Sequence, residues 1–597
     1  MYPYLTALPL FFTLSVPIVS AQTPTDIQFD NYTAPTATIR TGPLSGKATQ
    51  LPGSNVTVNQ FLGVPFATPP LKALRFAPPQ EPSPWEGAYD ASKQPPACIQ
   101  WRGPPGPATD LSLKLFYNPP PPAESEDCLY LNVFVPSGGE AKKSVLFWIY
   151  GGSGIAGAAS QPIYDGTSFA ANHDIIVVAA NYRLNVFGNP KSAGLSLAER
   201  NLNLLDQQLA LNWTQQNIAA FGGDPEKVTI MGESAGAVSV GTFINTYAEN
   251  PPFRAGVQMS GSSIYTLPSV EGGTSDDEWR SLTELLNCTN TSEEELLECV
   301  RAIDADTIMQ VLERNNLRFT GFTNDNVTVL ERPDTAWANR HVARVPIMVG
   351  STANDASVFV MDVPVSNISV GTLLQSALGF DSATAELIAS MYAPDSPYAE
   401  GASTTRDVVS QIATDFIFRC TSGLVANLTS TLLNVPVWQY VFDAQVPSNT
   451  WEEYPDLGVY HASEVSLLFG TYPRENSTEV EAKLSRSMQK QFADFVKNPE
   501  QGPGWEQWPQ VAILGVNDTD AVTTTQAWED LDAVCLQYND FYLSTLPALG
   551  RMNSSQSNGS GTGASDNIAS VVPNAANHLG SSAIWIGASL LGIAALL

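Results

Sequence analysis

The chain of 597 residues carries 29 lysines and arginines against 59 aspartates and glutamates, a formal net charge of -30. A surface this negative repels nucleic-acid phosphates and anionic membrane surfaces, which excludes a nucleic-acid partner. Hydrophobic residues make up 43% and charged residues 15%, enough apolar side chains for a substantial globular core.

In chain order the first element is the apolar stretch "LTALPLFFTLSVPIVSA", which ends in Val19-Ser20-Ala21. Small residues closing such a stretch predict a secretory signal peptide over residues 1–21, cut before Gln22. Its first residues lack Lys and Arg, so a membrane anchor stays open as the alternative. Secretion agrees with about a dozen N-x-[ST] sequons, among them Asn31, Asn55, Asn212, Asn326, Asn367, Asn427, Asn476 and Asn517. Six cysteines, an even number, suit an oxidising compartment, and spacing alone pairs only the close Cys288 with Cys299.

Residues 22–546 contain no linker or repeat and read as one catalytic domain. Short apolar runs predict buried strands at Ser144–Tyr150, Asp174–Tyr182, Lys227–Gly232, Val345–Gly350 and Val435–Phe442. Helical spacing of apolar residues fills Leu202–Phe221 and Glu481–Val496. Strands alternating with helices imply an α/β fold whose mainly parallel sheet is covered on both faces.

The Ser144–Tyr150 run leads into "GGSGIAG", where Gly152, Gly154 and Gly157 spell the G-x-G-x-x-G of a dinucleotide-binding turn. That fold needs an acidic residue at the end of its second strand to hold the ribose. Asp174 has nearly the spacing but precedes its strand, which ends in Asn181-Tyr182-Arg183. A nicotinamide or flavin oxidoreductase therefore rests on the glycines alone.

The Lys227–Gly232 run passes through Gly232-Glu233-Ser234-Ala235-Gly236 into a small-residue segment able to start a helix. Between a strand and a helix, G-x-S-x-G reads as a nucleophile elbow that lifts the Ser234 hydroxyl out of the sheet. A serine needs a base to take its proton, and there are four histidines. His578 lies in the tail, His173 sits before a buried strand and His341 stands in the polar "ANRHVAR". His461 in "DLGVYHASEVSLLFG" follows the last predicted strand and is the candidate base, with a structural histidine as the alternative. Asp355, a few residues past Val345–Gly350, is the candidate carboxylate that fixes the imidazole tautomer. Ser, acid, His is the α/β-hydrolase order; other acids stay open, Glu464 being close to His461 in sequence.

Past the domain, residues 547–574 hold the Ser/Gly/Asn-rich "NSSQSNGSGTGASDN" and read as a flexible stalk. Small residues Asn574-Ala575-Ala576, a polar spacer and the apolar Ala583–Leu597 form the pattern of a GPI-attachment signal. Asn574 is then the attachment residue and 575–597 the removed propeptide; a tail-anchored span or a C-terminal helix is the alternative.

Several long segments resemble the type-B carboxylesterases, the family of the cholinesterases and the yeast and mould lipases. They are "FLGVPFATPPLKALRF" (Phe61–Phe76), "SEDCLYLNVFVP" (Ser125–Pro136), "NLNLLDQQLALNWTQQNIAAFGGDPEKVTIMGESAGAVSV" (Asn201–Val240), "GSTANDASVF" and "GVYHASE". They fall in the family's order and span most of residues 40–540. The resemblance implies an α/β-hydrolase fold, a large mostly parallel central sheet with helices on both faces. It also implies Ser234 as nucleophile, Asp355 as acid, His461 as base, and backbone N–H groups of Gly152, Ser153 and Ala235 as the oxyanion hole. It pairs Cys98 with Cys128, is compatible with Cys288–Cys299 and Cys420–Cys535, and suggests structural ion pairs Arg75–Glu126 and Arg183–Asp206.

Two departures stand out. Asp355 replaces the family's usual Glu and is followed by Ala356 in place of Gly, and Gly151-Gly152-Ser153 replaces three consecutive glycines. Near the position of the cholinesterases' choline-binding tryptophan the chain has Tyr117-Asn118-Pro119, which does not support choline specificity. The reading is a secreted, glycosylated serine esterase or lipase acting on small-molecule or lipid esters. It needs no metal or organic cofactor, meets the membrane through a GPI anchor, and loses activity on acidification near the pKa of His461, about 6.5 if unperturbed. The rival is a non-catalytic surface adhesion or binding protein on the same fold.

Overall fold

The computed structural model describes residues 34–549 except 104–106, 117–121, 140, 263, 265–275, 290–291, 362–368, 379, 400–401, 516–521. Residues 1–33 with Asn31, the Tyr117-Asn118-Pro119 segment, Asn367, Asn517, and 550–597 with Asn574 and His578 lie outside the described residues.

The early strands are β1 (Thr36–Ile39), β2 (Gly42–Ser45), β3 (Lys47–Gln50), β4 (Thr57–Pro65) and β5 (Tyr89–Asp90). The middle of the chain adds β6 (Tyr130–Pro136), β7 (Lys143–Ile149), β8 (Ile176–Ala180), β9 (Gly223–Glu233) and β10 (Ala255–Met259). The last are β11 (Ile347–Thr352), β12 (Val437–Asp443), β13 (Gln510–Gly515) and β14 (Thr523–Ala527). A three-stranded sheet joins β1, β2 and β5, and an 11-stranded sheet runs β14-β13-β12-β11-β10-β9-β7-β8-β6-β4-β3. From β8 across to β13 every neighbouring pair is parallel. The outer strands on both sides are antiparallel.

The pattern follows from the side chains. β7 (KSVLFWI) and β8 (IVVAA) are buried at every position, as strands roofed by helices on both faces must be. Helix Leu202–Asn217, tightened into a 3-10 turn at Ile218–Phe221, buries Leu204, Ala210, Leu211 and Trp213. Helix Glu479–Lys497 is started by a capping box between Thr478 and Glu481 and buries Leu484, Met488, Phe492, Phe495 and Val496. These are the two helices that apolar spacing marks.

The five expected strands appear as β7, β8, β9, β11 and β12. One expectation is corrected: β12 is not the last strand, because β13 and β14 follow His461. β14 (TTTQA) is a polar edge strand with no buried position, so no apolar run announces it. β10 (AGVQM) is only 5 residues long, too short for periodicity to register.

Disulfides join Cys98–Cys128, Cys288–Cys299 and Cys420–Cys535. The last ties the long helix Thr405–Leu433 to the C-terminal helix Ala533–Thr545. Closing a loop of 115 residues stabilises the fold by about 4–5 kcal/mol in the chain-entropy account.

Candidate active site

The elbow forms because the chain has no alternative at its glycines. β9 ends at Glu233, Ser234 adopts φ 55° and ψ -125°, and helix Ala235–Thr246 begins at the next residue. A left-handed serine is strained, and its surroundings must fix it in place. Ser234 N–H donates to Met259 O at 2.8 Å. A Cβ on Gly232 would stand 2.4 Å from the Gly236 carbonyl, and one on Gly236 would stand 2.1 Å from Ile149 O. Both flanking residues must therefore be glycine for strand, serine and helix to pack this closely. Ser234 is buried.

The acid and base come from the C-terminal ends of the two strands beyond β10. Asp355 follows β11, and His461 lies in the loop after β12. Asp355 Oδ1 is 2.5 Å from His461 Nδ1, and Asp355 is fully buried. Its other oxygen accepts from Ser260 Oγ at 2.7 Å and Thr352 N at 2.9 Å. Three partners leave the shorter Asp side chain one orientation. In the neutral imidazole Nδ1–H donates to Asp355, which leaves the lone pair on Nε2.

Helix Thr405–Leu433 closes the other side. Its π-helical turn Thr414–Arg419 brings Thr414 Oγ1 to accept from Ala356 N at 2.9 Å. The same turn sets the Phe418 ring 5.1 Å from the His461 imidazole, with Phe359 4.9 Å away on another side. Two aromatic walls and one carboxylate fix the imidazole plane.

Two further carboxylates reach this cluster, and sequence reasoning missed one and set aside the other. Glu233 Oε1 lies 3.1 Å from His461 Nε2, and Glu464 is fully buried with both oxygens lacking a hydrogen-bond partner among the described residues. Burial pushes Glu233 up to about 7, with His461 opposing. Burial and the charges of Glu233 and Asp355 push Glu464 up to about 8. Burial also pulls His461 down, but Glu233, the Asp355 hydrogen bond and charge, and Glu464 outweigh it and raise it to about 9. His461 is thus not an unperturbed imidazole near 6.5, because acids surround it. The available signal was a glutamate closing an otherwise apolar strand run, "KVTIMGE".

The loop after β7 lies against the elbow. A Cβ on Gly151 would stand 2.8 Å from Ser234 Cβ and 2.7 Å from a Glu233 carboxylate oxygen. Ser153 sits at φ 57° and is buried, a non-glycine residue held in the left-handed region. Ala235 is the first residue of its helix, so its N–H has no acceptor one turn back. The structure thus gathers Gly151-Gly152-Ser153, Ser234, Ala235, Asp355 and His461 at one end of the sheet.

Other sequence candidates fall elsewhere. Asp174 pairs with Lys143 at 2.5 Å, at the opposite end of β7 from the glycine loop; seven residues of strand put that about 20 Å away. It cannot serve a ligand in the loop. His341 is exposed, and His173, ahead of β8, is pushed down to about 4 by burial. Arg75–Glu126 and Arg183–Asp206 are bidentate pairs with N–O distances of 2.5–2.8 Å; the first ties two loops together and the second ties the loop after β8 to helix Leu202–Asn217. Among the described residues no group of three or more His, Cys, Asp and Glu is arranged to hold a metal ion.

The carboxylesterase family matches residues 33–532. A medium-chain fatty acyl-CoA hydrolase precursor of Anas platyrhynchos is 31% identical over 492 residues, 79% of this chain and 85% of that protein. A para-nitrobenzyl esterase of Bacillus subtilis (strain 168) is 31% identical, covering 76% of this chain and 88% of its own length. A cholinesterase of Mus musculus is likewise 31% identical, with 77% of this chain and 78% of that protein aligned.

Proposed function

The chain belongs to the carboxylesterase family and is a carboxylic ester hydrolase with an α/β-hydrolase fold, and from that premise we propose that it works through an acyl-enzyme on Ser234. The Ser234 hydroxyl attacks the ester carbonyl carbon while His461 Nε2 takes its proton. The carbonyl oxygen becomes an oxyanion and accepts hydrogen bonds from the N–H groups of Gly152, Ser153 and Ala235. As the tetrahedral intermediate collapses, the alcohol leaves with the proton from His461. Water then attacks the acyl-serine by the same route in reverse roles, releasing the acid and the free serine. Asp355 holds the imidazole and stabilises its cation throughout.

The observation that carries this reading is the close Asp355–His461 pair, 2.5 Å apart, beside a serine strained at φ 55°. The test is covalent labelling with a fluorophosphonate probe and mass spectrometry of the labelled peptide. The expected adduct is on Ser234 and disappears in Ser234→Ala, whose ester turnover falls by about 10⁴-fold or more. Labelling elsewhere, or full turnover in Ser234→Ala, rejects the mechanism, whereas no labelling and no turnover in the unaltered protein favours the adhesion reading of the site.

The location belongs to the same proposal. A cleaved signal over residues 1–21, N-glycans on the sequons and a GPI anchor at Asn574 make a secreted protein held at the cell surface. The three disulfides support an oxidising compartment. Release of activity from intact cells by a phosphatidylinositol-specific phospholipase is the expected result, and retention of activity after that treatment counts against the anchor.

A further inference from the structure

Most part-buried cations in this molecule have an acid or a carbonyl to answer them. Arg75 meets Glu126, Arg183 meets Asp206, Arg419 meets Asp415, and Arg254 donates to the carbonyls of Val496 and Lys497. Arg318 is different. It is half-buried and has neither an ion pair nor a hydrogen bond among the described residues. Its guanidinium lies over the Trp101 ring, 4.9 Å from the centroid. Burial pulls its pKa down with no carboxylate pulling it back up. The indole N–H of the same Trp101, a residue about nine-tenths buried, also lacks an acceptor among the described residues. Two donors, one charged, thus stand together unanswered.

Their position ties them to the candidate oxyanion loop from two sides. The backbone N–H of Trp101 donates to Ile155 O at 2.9 Å, and Ile155 N–H donates to Gly152 O at 3.0 Å. Phe319, next to Arg318, donates its N–H to Asn185 Oδ1 at 2.9 Å, and Asn185 N–H donates to Gly154 O at 2.7 Å. The net charge of -30 does not forbid an anion here, because charges farther away than about 10 Å are screened at 0.1 M salt. What an anion meets at close range is a planar cation already stripped of part of its water.

We propose that Arg318 on Trp101 is an anion-binding subsite, and that the preferred substrates are esters carrying a second, ionised carboxylate. This rests on the reading of Ser234 and the Gly152 loop as the reacting centre. A carboxylate matches the guanidinium's fork in two parallel hydrogen bonds, and seating it there fixes the ester relative to the loop.

The test uses two matched substrate pairs with the full-length protein. One pair is para-nitrophenyl pentanoate and para-nitrophenyl hydrogen glutarate, which differ by a carboxylate on the acyl side. The other is phenyl acetate and para-acetoxybenzoate, which differ by a carboxylate on the alcohol side. In Arg318→Gln the anionic-to-neutral ratio of kcat/KM falls about tenfold or more in at least one pair, mainly through KM. The pair that responds tells which end of the ester the subsite holds, and Arg318→Lys keeps part of the ratio. Both ratios unchanged in Arg318→Gln overturn the proposal. Should that variant fail to fold, free glutarate as a competitive inhibitor of pentanoate ester hydrolysis by the unaltered protein decides; no inhibition overturns it. Failure of the underlying reading looks different: none of the four esters is hydrolysed, or Ser234→Ala still hydrolyses them.

Discussion

The His461 imidazole sits among three carboxylates, and its protonation sets the pH at which the site works. Asp355 and Glu233 contact it at 2.5 and 3.1 Å, and its pKa is raised to about 9. A base must be neutral to accept the serine proton, so activity is present above this pKa and is lost as pH falls through it. The acid limb of kcat/KM is therefore expected well above the 6.5 of an isolated imidazole. Replacing Glu233 by Gln removes a neighbouring charge that favours the imidazolium, so the limb moves to lower pH. A rate profile from pH 5 to pH 10 for the unaltered protein and Glu233→Gln checks both. A limb at 6.5 in both proteins shows that Glu233 is uncharged, or turned away, when the enzyme works.

At the scale of elements, the strand-turn-helix unit around Ser234 was legible in the sequence because steric necessity leaves a mark there. Only glycine fits at 232 and 236, and the apolar run before them and the small residues after them are what a buried strand and a closely packed helix need. The order of Ser234, Asp355 and His461 was legible for a similar reason, Ser234 and Asp355 standing just past an apolar strand run and His461 in the longer loop after the next one. Glu233 was visible as a residue, yet the direction of its carboxylate depends on how β9 meets the loop from β12, a tertiary fact that no local pattern records. The antiparallel strands β4 and β6 and the short β10 escaped because their burial comes from neighbours distant in sequence, and β14 because none of its positions is buried. Gly236→Ala tests the steric argument. Its new methyl would stand 2.1 Å from Ile149 O, so strand β7 or the helix must shift, at a cost of about 1–3 kcal/mol. Ester turnover is expected to fall by orders of magnitude while the Cys98–Cys128 and Cys420–Cys535 disulfides still form. Unchanged turnover and melting temperature in this variant remove the steric account of the motif.

For the whole molecule, the buried acids make stability and activity pull against each other along the pH axis. Glu233 is raised to about 7 and Glu464 to about 8, both led by burial. Asp532, at the root of the C-terminal helix, is pushed up to about 7 by burial although Arg419 lies 3.6 Å away. Acids whose folded pKa exceeds the unfolded value of about 4 bind protons more tightly in the folded state. Their stabilisation is complete below about pH 4 and is lost as pH rises through 7 to 8. His461, also raised, loses its contribution over the same rise and up to about 9. Acids held low, such as Asp276 by its hydrogen bond to Arg280 and Asp381 by Thr384, contribute in the opposite sense and fail only as pH drops below their ordinary range. Added to this, the charge of -30 grows more repulsive as the last carboxylates ionise. The melting temperature is therefore expected to peak near pH 5 and to fall by more than about 2 °C by pH 8, whereas turnover rises across the same interval as His461 loses its proton. Differential scanning calorimetry and rate measurements at matched pH values test this opposition. A melting temperature that climbs between pH 5 and pH 8 means that Glu233, Glu464 and Asp532 are ionised in the folded protein at neutral pH and that His461 has correspondingly strong partners.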